Sequence, residues 1–277
     1  MSAFQFSSDF ILDRHLSFVG FGRISQALCK GMLSSGVKLD NIFVSDTDLS
    51  KAIEAKELGL NFSSSNADAA KFAEIIFLCV KPDKALSVLR EISPFLGKNH
   101  ILVSVAAGIS LQQLNSVVSC KTVRLMPNLG VSCNKGVIAF AFGSGFSSKD
   151  KKIVLGILEG IGLCLEAKEN EFDLITAVSG CGPAFWAFLI SETVKAAELN
   201  GLSKTKSRKL VLASLNGTLG ILMREGISEE QLIELVSSPG GVTEKELDVL
   251  RNSFLKKVFS DALKAGIKKS GGIDSEK

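Results

Sequence analysis

The segment "LSFVGFGRISQAL", residues 16–28, limits more than any other what this chain can fold into. A short β-branched and aromatic run ends in Gly20-x-Gly22 and passes directly into a helical pattern carried by Ala27, Leu28, Met32 and Leu33. Six further apolar runs follow, at 42–45, 74–80, 100–106, 122–127, 136–142 and 162–167. Helical stretches such as "DKALSVLREI" at 83–92 separate most of them. Strands with no polar side to turn toward water, alternating with helices, fit a mostly parallel sheet covered on both faces.

A strand that enters a helix through G-x-G has the form of a dinucleotide site. The first glycine permits the tight turn, and the second lets the backbone approach a pyrophosphate at the helix N-terminus. The third small position of that pattern falls on Ser25. An ordinary glycine-rich turn is the competing reading; the second strand, ending in "VSDTD", favours the dinucleotide. Asp46 lies where an acidic residue accepts from the adenosine ribose, and it would repel a 2′-phosphate. No arginine sits beside it and Lys51 is the nearest cation, so NADH is expected to compete well with NADPH. Further strands end in "CVKP" (79–82), "SVAAG" (104–108) and "RLMPN" (124–128). Singly, Lys81 is an ordinary solvated lysine and Asn128 an ordinary turn former. Their shared place at strand ends, where open α/β sheets bind ligands, carries the argument.

Beyond residue 168 the pattern becomes helical. Helices are expected over 182–201, 204–226 and 244–269, which divides the chain into a dinucleotide-binding domain, 1–166, and a helical domain, 167–277. Residues 183–223 are apolar or small around much of the helix circumference, and such helices must be buried. A homodimer is expected, with a self-contained bundle as the alternative.

Other classes are disfavoured. A hydrophobic fraction of 46% supports a sizeable core, and a net charge of +3 without a basic run leaves no nucleic-acid footprint. The six cysteines form no C-x-x-C pair, and two histidines give no zinc spacing, so no metal site is expected. Such cysteines suit a reducing compartment. No apolar stretch reads as long enough to span a bilayer, and residues 1–15 resemble neither a secretory signal nor a transit peptide; a cytoplasmic protein is expected. No nucleophile stands in a His-based triad, which disfavours hydrolysis.

The stretch "SSPGGVTEKEL", 237–247, places a proline and two glycines before a helical run. Such a loop suits an anion, through exposed N–H groups and close backbone approach. Thr243 with Glu246 also matches a T-x-x-E capping box, so a plain helix N-cap is the alternative, and both roles are compatible. This loop is expected to face the N-terminal glycine turn across a cleft.

Along nearly its whole length the chain resembles the pyrroline-5-carboxylate reductase family. The matching elements are "VGFGRI", "CVKP", "SVAAGIS", "VRLMPN", "AVSGCGPAFWAFLISE" and "LVSSPGGVT", the last two being the most distinctive. The resemblance implies a Rossmann-type, doubly wound α/β domain followed by an all-helical C-terminal dimerisation domain. It implies reduction of Δ1-pyrroline-5-carboxylate to L-proline with NADPH or NADH, in a homodimer or a ring of dimers. It places the cofactor on Val19, Gly20, Phe21, Gly22, Arg23, Ile24, Asp46, Asn66, Cys79, Val80, Lys81, Pro82, Val105, Ala106 and Ala107, with Asn128 at the next strand end. Substrate falls on Ser238, Pro239, Gly240, Gly241, Val242 and Thr243, with Glu225 a further candidate. Thr243 is the candidate catalytic residue, its hydroxyl reaching the imine nitrogen. The chain departs from the family where "GSGPAY" becomes "GCGPAF", through Cys181 and Phe185, and where "EKELDVL" replaces apolar and small residues after Thr243. Those departures keep two alternatives open: a reductase of a related cyclic imine or β-hydroxyacid, and a catalytically silent NAD(P)-binding paralogue.

Overall fold

A computed structural model describes residues 13–271. The strands are β1 (Leu16–Val19), β2 (Ile42–Ser45), β3 (Asn61–Ser63), β4 (Ile75–Leu78), β5 (Ile101–Ser104), β6 (Lys121–Pro127), β7 (Gly136–Phe142) and β8 (Gly162–Glu166). They form one sheet in the order β3-β2-β1-β4-β5-β6-β7-β8. All neighbouring pairs are parallel except β6 and β7. The connection after β6 is only a short 3-10 turn, Leu129–Cys133, and a link that short cannot make the crossover a parallel pair needs.

Successive strand residues serve opposite faces of the sheet. Ile75 and Phe77 join one apolar cluster, whereas Ile76 and Leu78 join the other. This explains the unbroken apolar runs in the sequence. Phe18 and Phe77 stack at 4.7 Å on the first face, both buried. Burying each such ring contributes roughly 1.5–3 kcal/mol. The sheet helices are α1 (Arg23–Ser34), α2 (Lys51–Glu57), α3 (Asn66–Phe72), α4 (Pro82–Ile92), α5 (Leu111–Asn115) and α6 (Ser148–Glu159). Pro82 opens α4 at a position that needs no N–H donor. Ser110 with Gln113 and Ser147 with Asp150 close capping boxes on α5 and α6.

The remainder is helical: α7 (Phe172–Ile175), a π turn at Thr176–Gly180, α8 (Gly182–Leu199), α9 (Lys204–Glu225), α10 (Glu229–Val236), α11 (Val242–Arg251) and α12 (Leu255–Gly271). Two features differ from expectation. Helix α10 was not foreseen; a Ser228–Gln231 capping box starts it. The single helix expected over 244–269 is two helices, because Ser253 accepts from the Leu255 amide at 3.2 Å and so caps a new start.

By compactness, the described residues up to Pro183 together with those of 266–271 form one unit, and Ala184–Ala265 the other. The sheet itself ends at Glu166. Residues just beyond stay with the sheet through a buried cation. The Arg124 Nη1 donates to Glu169 Oε1 at 3.0 Å, the Leu111 amide donates to the same oxygen at 2.9 Å, and the guanidinium lies over the Phe172 ring at 4.3 Å.

The expectation that no stretch could cross a bilayer needs correction. The helical run Glu169–Leu199 is long and apolar enough to do so by length and composition. In the second unit its apolar side chains are open, with Trp186 58% and Phe188 63% exposed. A groove of about 810 Å³ lies there, lined by Trp186, Leu189, Ile190, Leu212, Leu215 and Leu219 among others. Among the described residues, much of the apolar surface of these helices is exposed.

Candidate active site

Parallel strands bring their carboxyl ends to one edge, so the expected cofactor residues of β1, β2, β4, β5 and β6 share that edge. Val19 and Phe21 are buried on either side of Gly20. Gly20 has φ +93°, and its amide donates to the Ser45 carbonyl at 2.8 Å. A Cβ there would stand 2.8 Å from the Cys79 carbonyl oxygen. Glycine is therefore required by both conformation and space. Gly22 is the N-cap of α1 with an extended backbone, and a Cβ on it would meet nothing within 4 Å. The first helical bond runs from the Gln26 amide to the Gly22 carbonyl at 3.0 Å, so the preceding N–H groups point out of the helix end. Open space before a helix N-terminus, with no side chain in it, fits a dinucleotide pyrophosphate. Arg23 is exposed and Ile24 half-buried beside it.

Asp46 closes β2 with both oxygens engaged: Oδ2 accepts from the Phe21 amide at 2.7 Å and Oδ1 from the Asp48 amide at 2.9 Å. Cys79 is buried, and burial pushes its thiol well above the ordinary range, as it does for Cys29. Cys79 is thus a neutral packing group at the strand end. Val80 is half-buried, Lys81 exposed, and Pro82 begins α4. The Val105 amide donates to the Leu78 carbonyl at 3.1 Å, with Ala106 buried and Ala107 half-buried after it. Asn128 accepts from the Gly130 and Val137 amides at 3.0 and 3.2 Å and donates to the Ser179 carbonyl at 3.2 Å. It ties the β6–β7 turn to the π segment. Asn66 differs from the others. It is buried at the start of α3, accepting from the Ser45 hydroxyl at 3.1 Å and donating to Glu91 at 3.2 Å.

The expected substrate residues lie in the second unit, six of them consecutive at 238–243 and Glu225 apart from these. Ser238 and Pro239 are exposed, and Gly240 adopts φ +71°. The Gly241 amide donates to the Ser238 carbonyl at 2.9 Å, and a Cβ on Gly241 would stand 2.8 Å from that oxygen. Helix α11 begins at Val242 with Gly241 as its N-cap. Thr243 is therefore the second helical residue, and the capping-box reading of Thr243 and Glu246 is corrected. The helix starts two residues earlier than the box requires. Glu244, one of the departures, reaches back, its Oε2 accepting from the Gly240 amide at 2.7 Å. A carboxylate thus already sits on this loop. Glu225 ends α9, and its side chain lies outside the described residues.

Sequence reasoning missed Gln26 and Glu54. Gln26 Nε2 donates to the Phe21 carbonyl at 3.0 Å and hydrogen-bonds Glu54, linking the glycine turn to α2. Lys51 Nζ donates to both Glu54 oxygens, at 2.8 and 3.0 Å. That bond raises the Lys51 pKa, burial opposes it, and the charges of Glu54, Asp48 and Asp46 add to the rise.

Two family profiles match the chain. One described as "Pyrroline-5-carboxylate reductase dimerisation" covers residues 169–273, and one described as "NADP oxidoreductase coenzyme F420-dependent" covers 15–108. The chain is 29% identical to the pyrroline-5-carboxylate reductase of Staphylococcus aureus (strain COL), over 92% of this chain and 96% of that protein. It is 32% identical to the enzyme of the same name from Corynebacterium melassecola, over 90% and 95%. The crystal structure of Plasmodium falciparum pyrroline carboxylate reductase with NADP bound superposes with a TM-score of 0.86, at 32% identity, over 94% of this chain and 98% of that one.

Proposed function

The chain belongs to the pyrroline-5-carboxylate reductase family and is an NAD(P)-dependent oxidoreductase; on that premise we propose how it reduces Δ1-pyrroline-5-carboxylate to L-proline, the last step of proline biosynthesis. The reaction places a hydride on the imine carbon and a proton on the imine nitrogen, turning C=N into CH–NH. The nicotinamide, when bound, supplies the hydride. The Gly20–Gly22 turn admits the pyrophosphate, and the strand ends at Asp46, Cys79–Pro82, Val105–Ala107 and Asn128 line the rest of the dinucleotide site.

The Ser238–Gly241 loop presents the substrate carboxylate to the Val242 and Thr243 amides that open α11, since the Gly240 and Gly241 amides are already bonded to Glu244 and to the Ser238 carbonyl. The Thr243 Oγ1 hydroxyl faces the imine nitrogen and assists its protonation. The observation that carries the reading is the Gly20–Gly22 turn: Gly20 has no room for a side chain, and Gly22 leaves open space before the start of α1. Its test is cofactor oxidation: steady NAD(P)H consumption with pyrroline-5-carboxylate and none with hydroxyacids or keto acids. Consumption only with keto acids would replace the substrate.

The same reading makes the protein a cytoplasmic homodimer, or a ring of such dimers, acting on a small molecule without membrane or nucleic acid. The dimerisation match over 169–273 and the open apolar groove of the second unit support pairing of two copies. The six free cysteines suit a reducing cytoplasm. Light scattering of the full chain should give a dimer or larger; a well-folded monomer at micromolar concentration would remove this part.

A further inference from the structure

NADH and NADPH differ by one phosphate on the adenosine ribose, and the seat of that ribose is the end of the second strand. In this chain two carboxylates, Asp46 and Asp48, stand in the turn that follows that strand. Asp46 is fixed there by the Phe21 and Asp48 amides, and Asp48 accepts in turn from the Ser50 amide at 2.9 Å. Within residues 46–55 the one cation is Lys51, at the start of α2. Its ammonium is bound by both oxygens of Glu54. Glu54 is itself tethered to the glycine turn, since Gln26 hydrogen-bonds it and also donates to the Phe21 carbonyl. The contacts run in sequence from Lys51 to Glu54, Gln26, Phe21 and Asp46.

We propose that Glu54 is a positioning residue for cofactor choice: by holding Lys51, the cation nearest Asp46 in sequence, it withholds that charge from a 2′-phosphate, and the site selects NADH over NADPH. The inference rests on the assignment of the dinucleotide to the glycine turn. A ribose hydroxyl donates to Asp46, whereas a 2′-phosphate meets like charge there. To neutralise that phosphate, Lys51 would have to leave both Glu54 oxygens. The Lys51 and Glu54 side chains are 25% and 39% exposed, so they are accessible enough to exchange partners.

The test is direct binding, followed by NADH and NADPH fluorescence on the full-length protein without substrate. Wild type should bind NADH more tightly. Glu54→Gln should tighten NADPH by about five- to tenfold, the scale of one charge-assisted contact to a partly exposed phosphate, and leave NADH unchanged. Adding Lys51→Met to Glu54→Gln should erase that gain, and Lys51→Met alone should leave the preference as in wild type. If Glu54→Gln weakens both cofactors equally, Glu54 only supports α2 and the proposal fails. It fails also if wild type prefers NADPH. Binding of neither dinucleotide would instead overturn the cofactor assignment, and absent imine reduction with normal binding would overturn only the substrate.

Discussion

Two glycines separated by one residue should fail in opposite ways when each becomes alanine. Gly20→Ala forces a side chain onto φ +93° and puts its Cβ 2.8 Å from the Cys79 carbonyl oxygen and 2.9 Å from Val80 Cγ1. The left-handed backbone costs about 1–2 kcal/mol and the overpacking about 1–3 kcal/mol, together about 2–5 kcal/mol. The clash is hard to relieve, because the Cys79 amide is itself bonded to the Val19 carbonyl at 2.7 Å in the middle of the sheet. Gly22→Ala meets no atom within 4 Å and has an ordinary φ of −78°. It should cost no more than about 1 kcal/mol, the loss of a favourable N-cap residue. Its methyl, however, enters the space through which a pyrophosphate must approach α1. Urea unfolding and NADH fluorescence titration separate the two effects. Gly20→Ala should lower stability first, whereas Gly22→Ala should fold normally and lose about tenfold or more in cofactor affinity, a loss of about 1.4 kcal/mol. Equal destabilisation by both, or intact binding in Gly22→Ala, would refute the reasoning.

Thr243→Ala should lower kcat while leaving the melting temperature nearly unchanged, since Gly241 and not Thr243 caps α11; unchanged kcat in the steady-state assay would mean that the proton comes from water. Glu169→Ala should destabilise the protein by about 2–4 kcal/mol in urea unfolding, because it strands the buried Arg124, and Arg124→Met should cost less. Burial acts to raise the Asp150 pKa, but hydrogen bonds from Lys121 and Ser147 and the Lys121 charge prevail and lower it to about 2. Its stabilising contribution is therefore full above its unfolded value of roughly 4 and is lost as pH falls through about 2. Unfolding measured across that window should show the decline, and Lys121→Met should flatten it.

Strands were legible wherever burial on both faces wrote itself into continuous apolar runs: Ile42–Ser45 and Gly136–Phe142 have the bounds expected from sequence. β3 was not legible, because it is three residues at the sheet edge with one apolar side chain between Asn61 and Ser63. Neither glycine nor proline marks the break between α11 and α12, and the serine that makes it looks ordinary in sequence. The strand-end rule brought the expected cofactor residues to one edge, since parallel strands must bring their carboxyl ends together. It carried no information on side-chain partners. Gln26 and Glu54 stand 28 residues apart and meet only through the packing of two helices against neighbouring strands. The helix start at Val242 was equally hidden, because Gly241 followed by Glu244 and Thr243 followed by Glu246 both read as helix starts, and the backbone angles decide between them.

Counting L-proline formed against NAD(P)H consumed, with pyrroline-5-carboxylate as the sole acceptor and the intact full-length protein as catalyst, tests the central claim most directly. The account predicts one L-proline per dinucleotide oxidised, with the rate falling in Thr243→Ala. Dinucleotide binding without proline formation, or oxidation that proceeds with a keto acid instead of the imine, would contradict it.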